Sequence, residues 1–216
     1  MTITMHFHVI GDLEGPAEIA VIALLTAITY FLGNINPAAI QARAHGLNIK
    51  EEGSGNAGTT NITRVLGIKA GIITLVIDIL KGAAAVFFGR YTAGEDFAML
   101  CAFAVFVGHV WPVVYKFKGG KGVATAFGAL TALEPGMGLT ALLLVVLGVI
   151  STQRMSGGSI VGAVTFPFVV WYFKPEFLPI GIILAIIVFF KHWSNIVRMA
   201  KGEEPKLSFR KSKEKK

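Results

Sequence analysis

The chain alternates continuous apolar stretches with short polar breaks that are rich in glycine. Continuous apolar stretches of this kind are typical of helices that cross a membrane and not of β-barrel strands, which alternate. They cover residues 17–36, 70–90, 97–117, 123–134, 136–151, 159–173 and 178–191. The first three are long enough to span, whereas the last four fall short of the roughly 20 residues that a full span needs. The pattern predicts an all-α, polytopic membrane bundle of about seven transmembrane helices.

The composition supports a membrane protein and excludes most soluble classes. Apolar residues make up 54% of the chain and charged residues only 15%, and the mean hydropathy is +0.66. Soluble domains carry about 25% charged residues, so a soluble enzyme, a disordered regulator and a nucleic-acid-binding module are excluded. The net charge of +7 would indicate a polyanionic partner in a soluble protein. In a membrane protein it indicates instead which loops face the cytoplasm.

The basic residues are concentrated in alternate breaks between the apolar stretches. If successive breaks lie on opposite sides of the membrane, one side carries 17 of the 20 lysines and arginines. The positive-inside rule places that side in the cytoplasm, and the other side keeps only Arg90 and Lys174. The N-terminus, with its acidic residues Asp12 and Glu14, is then outside and the C-terminus cytoplasmic. We interpret residues 205–216 as a basic cytoplasmic tail that lies on anionic lipid or in solvent.

The first polar break contains a candidate anion site. Residues 53–61 read GSGNAGTTN, and Arg64 follows three residues later. Glycines let the backbone turn tightly and present its N–H groups, while the hydroxyls, amides and guanidinium supply further donors for phosphate. This combination is typical of an anion site at the start of a helix. A flexible loop between helices, however, has a similar composition.

The second polar break is more distinctive. Residues 117–125 read FKGGKGVAT, and residues 108–112 before them read GHVWP. Lys118 and Lys121, separated by two glycines, can approach one bound anion together, and the apolar stretch from Val123 offers that anion a helix N-terminus. The alternative is a simple positive-inside anchor. Neither break is a Walker A loop, because neither contains Gly-Lys-Ser/Thr.

Two further polar stretches lie on the same predicted side of the membrane. Residues 151–159 contain Ser156 and Ser159 and on their own indicate a polar turn. Residues 192–198 read HWSNIVR. On a helix, His192, Asn195 and Arg198 share one face, which is either part of a site or an anchor at the membrane interface.

The remaining candidates are buried or isolated groups. Asp78 and Lys81, three residues apart in the second apolar stretch, are predicted to form an intramembrane ion pair. His109 is either structural or part of the site, and the single cysteine, Cys101, is interpreted as a small buried side chain. The sequence contains no metal-ligand cluster and no nucleophile motif. We therefore expect no cofactor and no metal, and a site that works by positioning and electrostatics on an activated substrate.

These motifs together resemble those of the small integral-membrane acyl-phosphate:glycerol-3-phosphate acyltransferases of bacteria. The residues that carry the resemblance are GSGNAGTTN with Arg64, GHVWP with FKGGKGVAT, Asp78 with Lys81-Gly82, and His192 and Asn195 with Arg198 and Gly202-Glu203. The likeness extends from about Tyr30 to Glu204. It identifies residues 1–204 as a single integral-membrane acyltransferase domain.

The resemblance implies a seven-helix bundle in the bacterial plasma (inner) membrane with its active site facing the cytoplasm. It implies transfer of a fatty acyl group from acyl phosphate to the 1-hydroxyl of glycerol 3-phosphate, without a cofactor. Membrane lipids and a soluble acyl-phosphate synthase are the expected partners, and nucleic acid is not. The implied catalytic residues are Lys121, His192, Asn195 and Ser54. The implied phosphate-binding residues are Asn34, Gly53, Gly55, Asn56, Gly58, Thr60, Asn61, Arg64, Lys118, Gly119, Gly120, Gly122, Ser156 and Ser159.

The chain departs from the family pattern at three places. The family usually has Gly-Ser-Ile near the end of the first span, where this chain has Asn34 as its middle residue. It usually has Gly-Ala-Thr where residues 58–60 read GTT, and a tyrosine before the serines of the third break. Two other functions fit the composition: a small anion or phosphate transporter, which should have polar residues at matching depths in several spans, and a scaffold subunit without activity.

Overall fold

The computed structural model describes residues 15–207, and all regular structure in that part of the chain is helical. The helices are α1 (Pro16–Gly33), α2 (Pro37–Ala44), α3 (Thr59–Leu66), α4 (Ile68–Val110), α5 (Val123–Leu133), α6 (Pro135–Thr152), α7 (Met155–Phe173), α8 (Leu178–Lys191) and α9 (Trp193–Ala200). Short 3₁₀ turns occupy Val113–Tyr115 and Pro175–Phe177. The predicted all-α membrane bundle is confirmed.

Helix α4 is a hairpin of two arms rather than one long rod. Its backbone leaves the helical region at Ala93 and Gly94. A Cβ placed on Gly89 would lie 2.8 Å from Cα of Ala98, although nine residues of straight helix would separate the two by about 13.5 Å. The chain therefore reverses at the break, and the predicted stretches 70–90 and 97–117 are the two antiparallel arms.

Each of the seven predicted stretches coincides with a helix or with an arm of α4. Within residues 15–207, four helical stretches are long and apolar enough to cross a membrane, or five if the bent pair α8 and α9 counts as one. The second arm ends at Val110, earlier than the predicted 117, because Pro112 lacks the N–H that would continue it. The number of complete spans and the orientation of the termini stay predictions.

Close backbone contacts at glycines hold the helices together. A Cβ on Gly33 of α1 would lie 2.3 Å from the Val105 oxygen, and one on Gly128 of α5 would lie 2.0 Å from the Ile79 oxygen. Small residues of this kind let membrane helices approach each other closely. Helix α1 thus crosses the second arm of α4, and α5 lies against the first arm.

The end of the bundle at the α4 break carries its own charged cluster. Glu95 binds Arg90 at 2.7 Å and Lys174 at 3.0 Å, and Arg90 also donates to the main-chain oxygens of Ala132 and Leu133 at the end of α5. The two basic residues that the charge pattern separates from the others therefore do share one end. Asp12, Glu14 and residues 208–216 of the predicted basic tail lie outside the described residues.

Candidate active site

The four polar breaks meet at the other end of the bundle. The Lys50 Nζ donates to the main-chain oxygen of Gly119 at 2.9 Å, which joins the first break to the second. Lys121 of the second break donates to the Asn195 side-chain oxygen on α9. The third break and the segment after α9 are joined by a main-chain hydrogen bond from Leu207 N. The expectation that these stretches lie on one side of the molecule is confirmed.

Asn61, in the first turn of α3, shapes the first glycine-rich turn. Its oxygen accepts from the Ser54 main-chain N–H at 2.8 Å, and its amide donates to the Glu52 oxygen at 2.9 Å. Gly53 has φ of 58°, and a Cβ there would lie 2.4 Å from the Asn61 oxygen. Only glycine fits this turn without strain. Asn61 therefore lies behind the turn and leaves the Ser54 side chain exposed to the cleft.

His109, at the end of α4, shapes the second glycine-rich turn. The main-chain N–H of Gly120 donates to the His109 oxygen at 3.1 Å. A Cβ on Gly119 would lie 2.0 Å from that oxygen, and a Cβ on Gly120 would lie 2.3 Å from Nε2 of the ring. Because side chains at 119 and 120 have no room, the turn lies directly on the histidine. Gly122, with φ of 84°, then precedes α5.

Glu204, after α9, organises the fourth part of the site. It is only 5% exposed and accepts hydrogen bonds from Ser156 at 2.6 Å, Asn195 at 2.7 Å and Arg198 at 2.7 Å. Burial alone would raise the pKa of Glu204, but these donors outweigh burial and lower it. Because the Asn195 amide is occupied by Glu204, its oxygen faces Lys121.

A polar cleft of about 310 Å³ opens between these segments. Five cationic side chains line it: Lys50, Lys118, Lys121, Lys191 and Arg198. Neutral donors are supplied by Ser54, Asn56 and Ser194, and Phe117 forms part of the wall. So many cations around one cleft, with hydroxyl and amide donors between them, form a site for anions that carry several charges.

Two of the cleft lysines have strongly lowered pKa values. Burial, followed by the charges of Lys191 and Lys118, lowers the pKa of Lys50 from 10.5 to about 8. Burial also lowers the pKa of Lys121 to about 8, against the opposing effect of Glu204. An anion bound beside these lysines would favour their charged forms.

An apolar groove of about 90 Å³ lies between α5, α6, α7 and α8. Val123 lines its start, two residues after Lys121, and the groove then follows one face of α5 through Phe127 and Leu130. Its other walls come from α6, α7 and α8 and include Ala141, Ser159, Gly162, Ala163, Phe166, Ala185 and Val188. Small residues leave this space open, and its lining is almost entirely apolar. The groove suits a hydrocarbon chain.

The structure brings only some of the predicted site residues to the cleft wall. Those lining it are Ser54, Gly55, Asn56, Lys118, Gly119 and Lys121. Those that shape or support it from behind are Gly53, Gly58, Asn61, Gly120, Gly122 and Asn195. Thr60 and Arg64 lie on α3, where the Arg64 charge contributes to lowering the pKa of Lys121.

Four predicted residues have other surroundings. Asn34 is buried and joins the main chain of Tyr30 to that of Val114. The Ser156 hydroxyl donates to Glu204, and the Ser159 hydroxyl donates to the Met155 oxygen beside the apolar groove. His192 is buried where α8 meets α9.

Sequence reasoning did not assign several of the cleft residues to the site. Lys50, Lys191 and Ser194 line it, and Glu204 holds Asn195. Arg198 also lines it, which agrees with one of the two interpretations of residues 192–198. Lys50 lies three residues before Gly53 and Lys191 lies next to His192, so proximity to the motifs was the available signal. Glu204 had no such signal, because its role depends on the segment after α9 folding back onto α7.

Comparison with known proteins identifies the group to which this arrangement belongs. Residues 23–202 match the sequence profile of a family described as glycerol-3-phosphate acyltransferase. The chain belongs to the glycerol-3-phosphate acyltransferase family. The enzyme of that name from Thermoanaerobacter sp. (strain X514) is 43% identical over 189 residues, covering 86% of this chain and 96% of the relative. The one from Clostridioides difficile (strain 630) is 38% identical over 202 residues, covering 90% and 99%.

Solved structures of the family agree with the fold described above. The crystal structure of PlsY, an integral membrane glycerol 3-phosphate acyltransferase, in its glycerol 3-phosphate form has a TM-score of 0.82 and 30% identity. It covers 87% of this chain and 96% of the PlsY chain. The lysophosphatidic acid form of the same protein has a TM-score of 0.79. The resemblance read from the motifs is thereby confirmed at the level of the family.

Proposed function

We propose that this family member transfers a fatty acyl group from acyl phosphate to the 1-hydroxyl of glycerol 3-phosphate. The products are 1-acyl-glycerol 3-phosphate (lysophosphatidic acid) and inorganic phosphate, and the reaction is the first step of phospholipid synthesis. The observation that carries the proposal is that a cationic cleft and an apolar groove are lined by residues only two apart in the chain, Lys121 and Val123. A lipid acyl donor with a phosphoryl head needs both surfaces at its reacting carbonyl.

The charge of the cleft supports an acyl phosphate as donor. Glycerol 3-phosphate is close to a dianion at neutral pH, and an acyl phosphate adds a second phosphoryl group directly on the reacting carbon. Two phosphoryl groups in one cleft need several cations, and five line this one, with Glu204 as the opposing buried carboxylate. A thioester donor would not bring a second phosphoryl group to the carbonyl, and fewer of these five cations would then have an anion to bind.

The proposed mechanism is direct attack of the glycerol hydroxyl on the acyl carbonyl. Acyl phosphate is a mixed anhydride with a good leaving group, so neither an acyl-enzyme nor a cofactor is required. The new ester C–O bond forms as the C–O bond to phosphate breaks, and the hydroxyl proton leaves. Lys121, oriented by Asn195, stabilises the negative charge that develops on the carbonyl oxygen and leaving phosphate. Lys118, Ser54 and Asn56 hold the phosphoryl groups.

The proposed acceptor of the hydroxyl proton is either a phosphate oxygen of the substrate or His192, which is buried where α8 meets α9, between the cleft residues Lys191 and Ser194. Its Nδ1 lies 2.8 Å from the main-chain oxygen of Val188, and a carbonyl oxygen can only accept a hydrogen bond. The imidazole proton therefore resides on Nδ1, which leaves Nε2 with a free lone pair. A histidine in this tautomer can act as a general base through Nε2.

The same proposal covers the placement of the enzyme in the cell. We infer that the cleft faces the cytoplasm of the bacterial inner membrane, because the basic breaks that form it obey the positive-inside rule in that orientation. Residues 1–204 act as one acyltransferase domain. A soluble acyl-phosphate synthase that delivers the donor at this face stays a prediction.

The test is a donor comparison with purified protein in lipid vesicles. Glycerol 3-phosphate is supplied with acyl phosphate, acyl-CoA or acyl carrier protein, and the acylated product is measured. Transfer from acyl phosphate alone is expected, and transfer only from a thioester would contradict the donor assignment. Lys121→Met should lower kcat/KM by several orders of magnitude, whereas Lys69→Met, at an exposed position outside the cleft, serves as control. A covalent acyl-protein trapped by rapid quench would rule out direct transfer.

A further inference from the structure

Three ionisable side chains meet in the interior of the bundle, beneath the second glycine-rich turn. Lys81 Nζ lies 2.7 Å from Asp78 Oδ1 and 2.8 Å from His109 Nδ1, and His109 Nδ1 lies 3.3 Å from Asp78 Oδ1. Their exposed fractions are only 2%, 4% and 4% for Asp78, Lys81 and His109. The predicted Asp78–Lys81 pair is therefore present and includes a histidine from the other arm of α4.

Lys81 connects this cluster to the end of α1. Its ammonium also donates to the main-chain oxygen of Ile35 at 2.6 Å and to that of Gly33 at 3.1 Å. The Asp78 carboxylate and these two main-chain oxygens suit a charged lysine, because an ammonium group only donates. The His109 Nδ1 lies within reach of both the Lys81 ammonium and the Asp78 carboxylate. The pair thus fixes the orientation of the His109 ring.

The other side of the His109 ring faces the second glycine-rich turn. The space that a Gly120 side chain would need is taken by Nε2, at 2.3 Å from the ideal Cβ position, and by the Ala57 oxygen at 3.0 Å. The Gly120 N–H is bound to the His109 oxygen, and Lys121 follows directly. A rotation of the ring would therefore displace the turn that carries Lys121, with Ala57 of the first turn beside it.

We propose that Asp78, Lys81 and His109 are positioning residues that set the conformation of the Gly119–Gly120 turn for phosphate binding. The inference rests on the proposed role of that turn, and none of the three side chains lines the cleft. A buried ion pair is a poor way to stabilise a fold, because apolar residues of similar volume do so at least as well. Charge at membrane depth is costly and mostly serves function. Here the pair orients a ring whose far edge touches the substrate-binding turn.

Two variants separate positioning from stability. In the double variant Asp78→Leu/Lys81→Met the charges are removed together, so no uncompensated charge remains. In His109→Asn the amide oxygen can still accept from Lys81, but the side chain no longer reaches Gly120. We expect thermal unfolding close to that of the wild type in both. We expect KM for at least one phosphate-bearing substrate to rise by about 10- to 100-fold, since a 1 Å displacement can cost about 100-fold.

The matched control removes an equivalent pair at the opposite end of the bundle. Arg90→Met/Glu95→Leu deletes an ion pair that also holds main-chain oxygens, and its KM values should equal those of the wild type. The donor that proves active with the wild-type enzyme is used throughout, so a wrong donor assignment is seen before any variant is compared. Wild-type KM and kcat in folded His109→Asn would overturn the inference, and that variant decides alone if the double variant does not fold.

Discussion

Raising the pH from 7 to 9 should lower the activity about 10- to 100-fold, whereas the contribution of Lys50 and Lys121 to stability should increase. Lys50 and Lys121 lose their charge near pH 8 in the free enzyme instead of near 10.5. With pKa values of about 8, each is roughly 90% charged at pH 7 and roughly 10% charged at pH 9. If both charges are needed, kcat/KM for glycerol 3-phosphate falls about 100-fold between pH 7 and pH 9. If only one particular lysine must be charged, it falls about 10-fold.

The sign of the stability change distinguishes this effect from alkaline denaturation. Between pH 8 and 10.5 the unfolded chain holds protons on these two lysines that the folded chain has released. The free energy of unfolding therefore rises with pH in this window as far as Lys50 and Lys121 are concerned. Between pH 8 and 10.5 the activity should therefore fall while the unfolding temperature does not.

The assay is kcat/KM for glycerol 3-phosphate from pH 6.5 to 10, in parallel with thermal unfolding. The phosphate of this substrate titrates near pH 6, below the range of interest. Lys121→Arg keeps its charge throughout, so only the Lys50 titration should remain and the alkaline fall should become less steep. Lys69→Arg should give the wild-type profile. A constant kcat/KM up to pH 9.5, or a wild-type slope in Lys121→Arg, would refute the reasoning.

Three further changes test the groove, the site and the fold. Ala163→Leu should fill the apolar groove and lower kcat/KM for long-chain donors, with short-chain donors unaffected. The expected fall is about 4-fold for each methylene excluded, at about 0.8 kcal/mol each. An unchanged dependence on chain length would contradict the assignment of the groove to the acyl chain. Glu204→Gln places an amide N–H₂ against groups that donate to the carboxylate, so we expect the free energy of unfolding to fall by about 1–3 kcal/mol. We also expect a lower kcat, because Asn195 loses its partner. Denaturant unfolding and kinetics measure the two effects, and full activity would show that Asn195 does not need Glu204 to hold its orientation. Gly33→Ala should lower the free energy of unfolding by about 1–3 kcal/mol, because the new Cβ is overpacked against the Val105 oxygen. A lower unfolding temperature is expected, and a wild-type unfolding temperature would mean that α1 can shift to make room.

The sequence was sufficient to predict the helical bundle and the gathering of its polar breaks at one end. Continuous apolar stretches and the distribution of lysines and arginines are local signals, and they hold wherever the helices pack. The sequence did not predict α2 and α3, which are short and lie within a break that reads as a loop. Asn36 does cap α2, accepting from Ala39 N–H at 2.9 Å with Pro37 following it. That is a recognisable start signal, although eight residues give little helical periodicity.

The site was predictable only where its residues lie within the motifs. Ser54, Lys118 and Lys121 line the cleft, and each belongs to a glycine-rich motif that the sequence shows directly. Glu204 and His109 act through partners that are distant in the chain: Ser156 for the first and Lys81 for the second. Such pairings depend on how helices pack and leave no periodic pattern in the sequence.

The relation between the cleft and the groove is set by a single backbone step. Lys121 belongs to the cationic cleft and Val123 to the apolar groove, and Gly122 between them has φ of 84°, with Phe106 2.2 Å from where a side chain would begin. In the proposed reaction, the phosphoryl group and the acyl chain of the donor diverge at this residue. The carbonyl carbon joins these two parts of the proposed donor, which places it within reach of Lys121. Whatever fixes this turn, the cluster beneath it included, also fixes where transfer occurs.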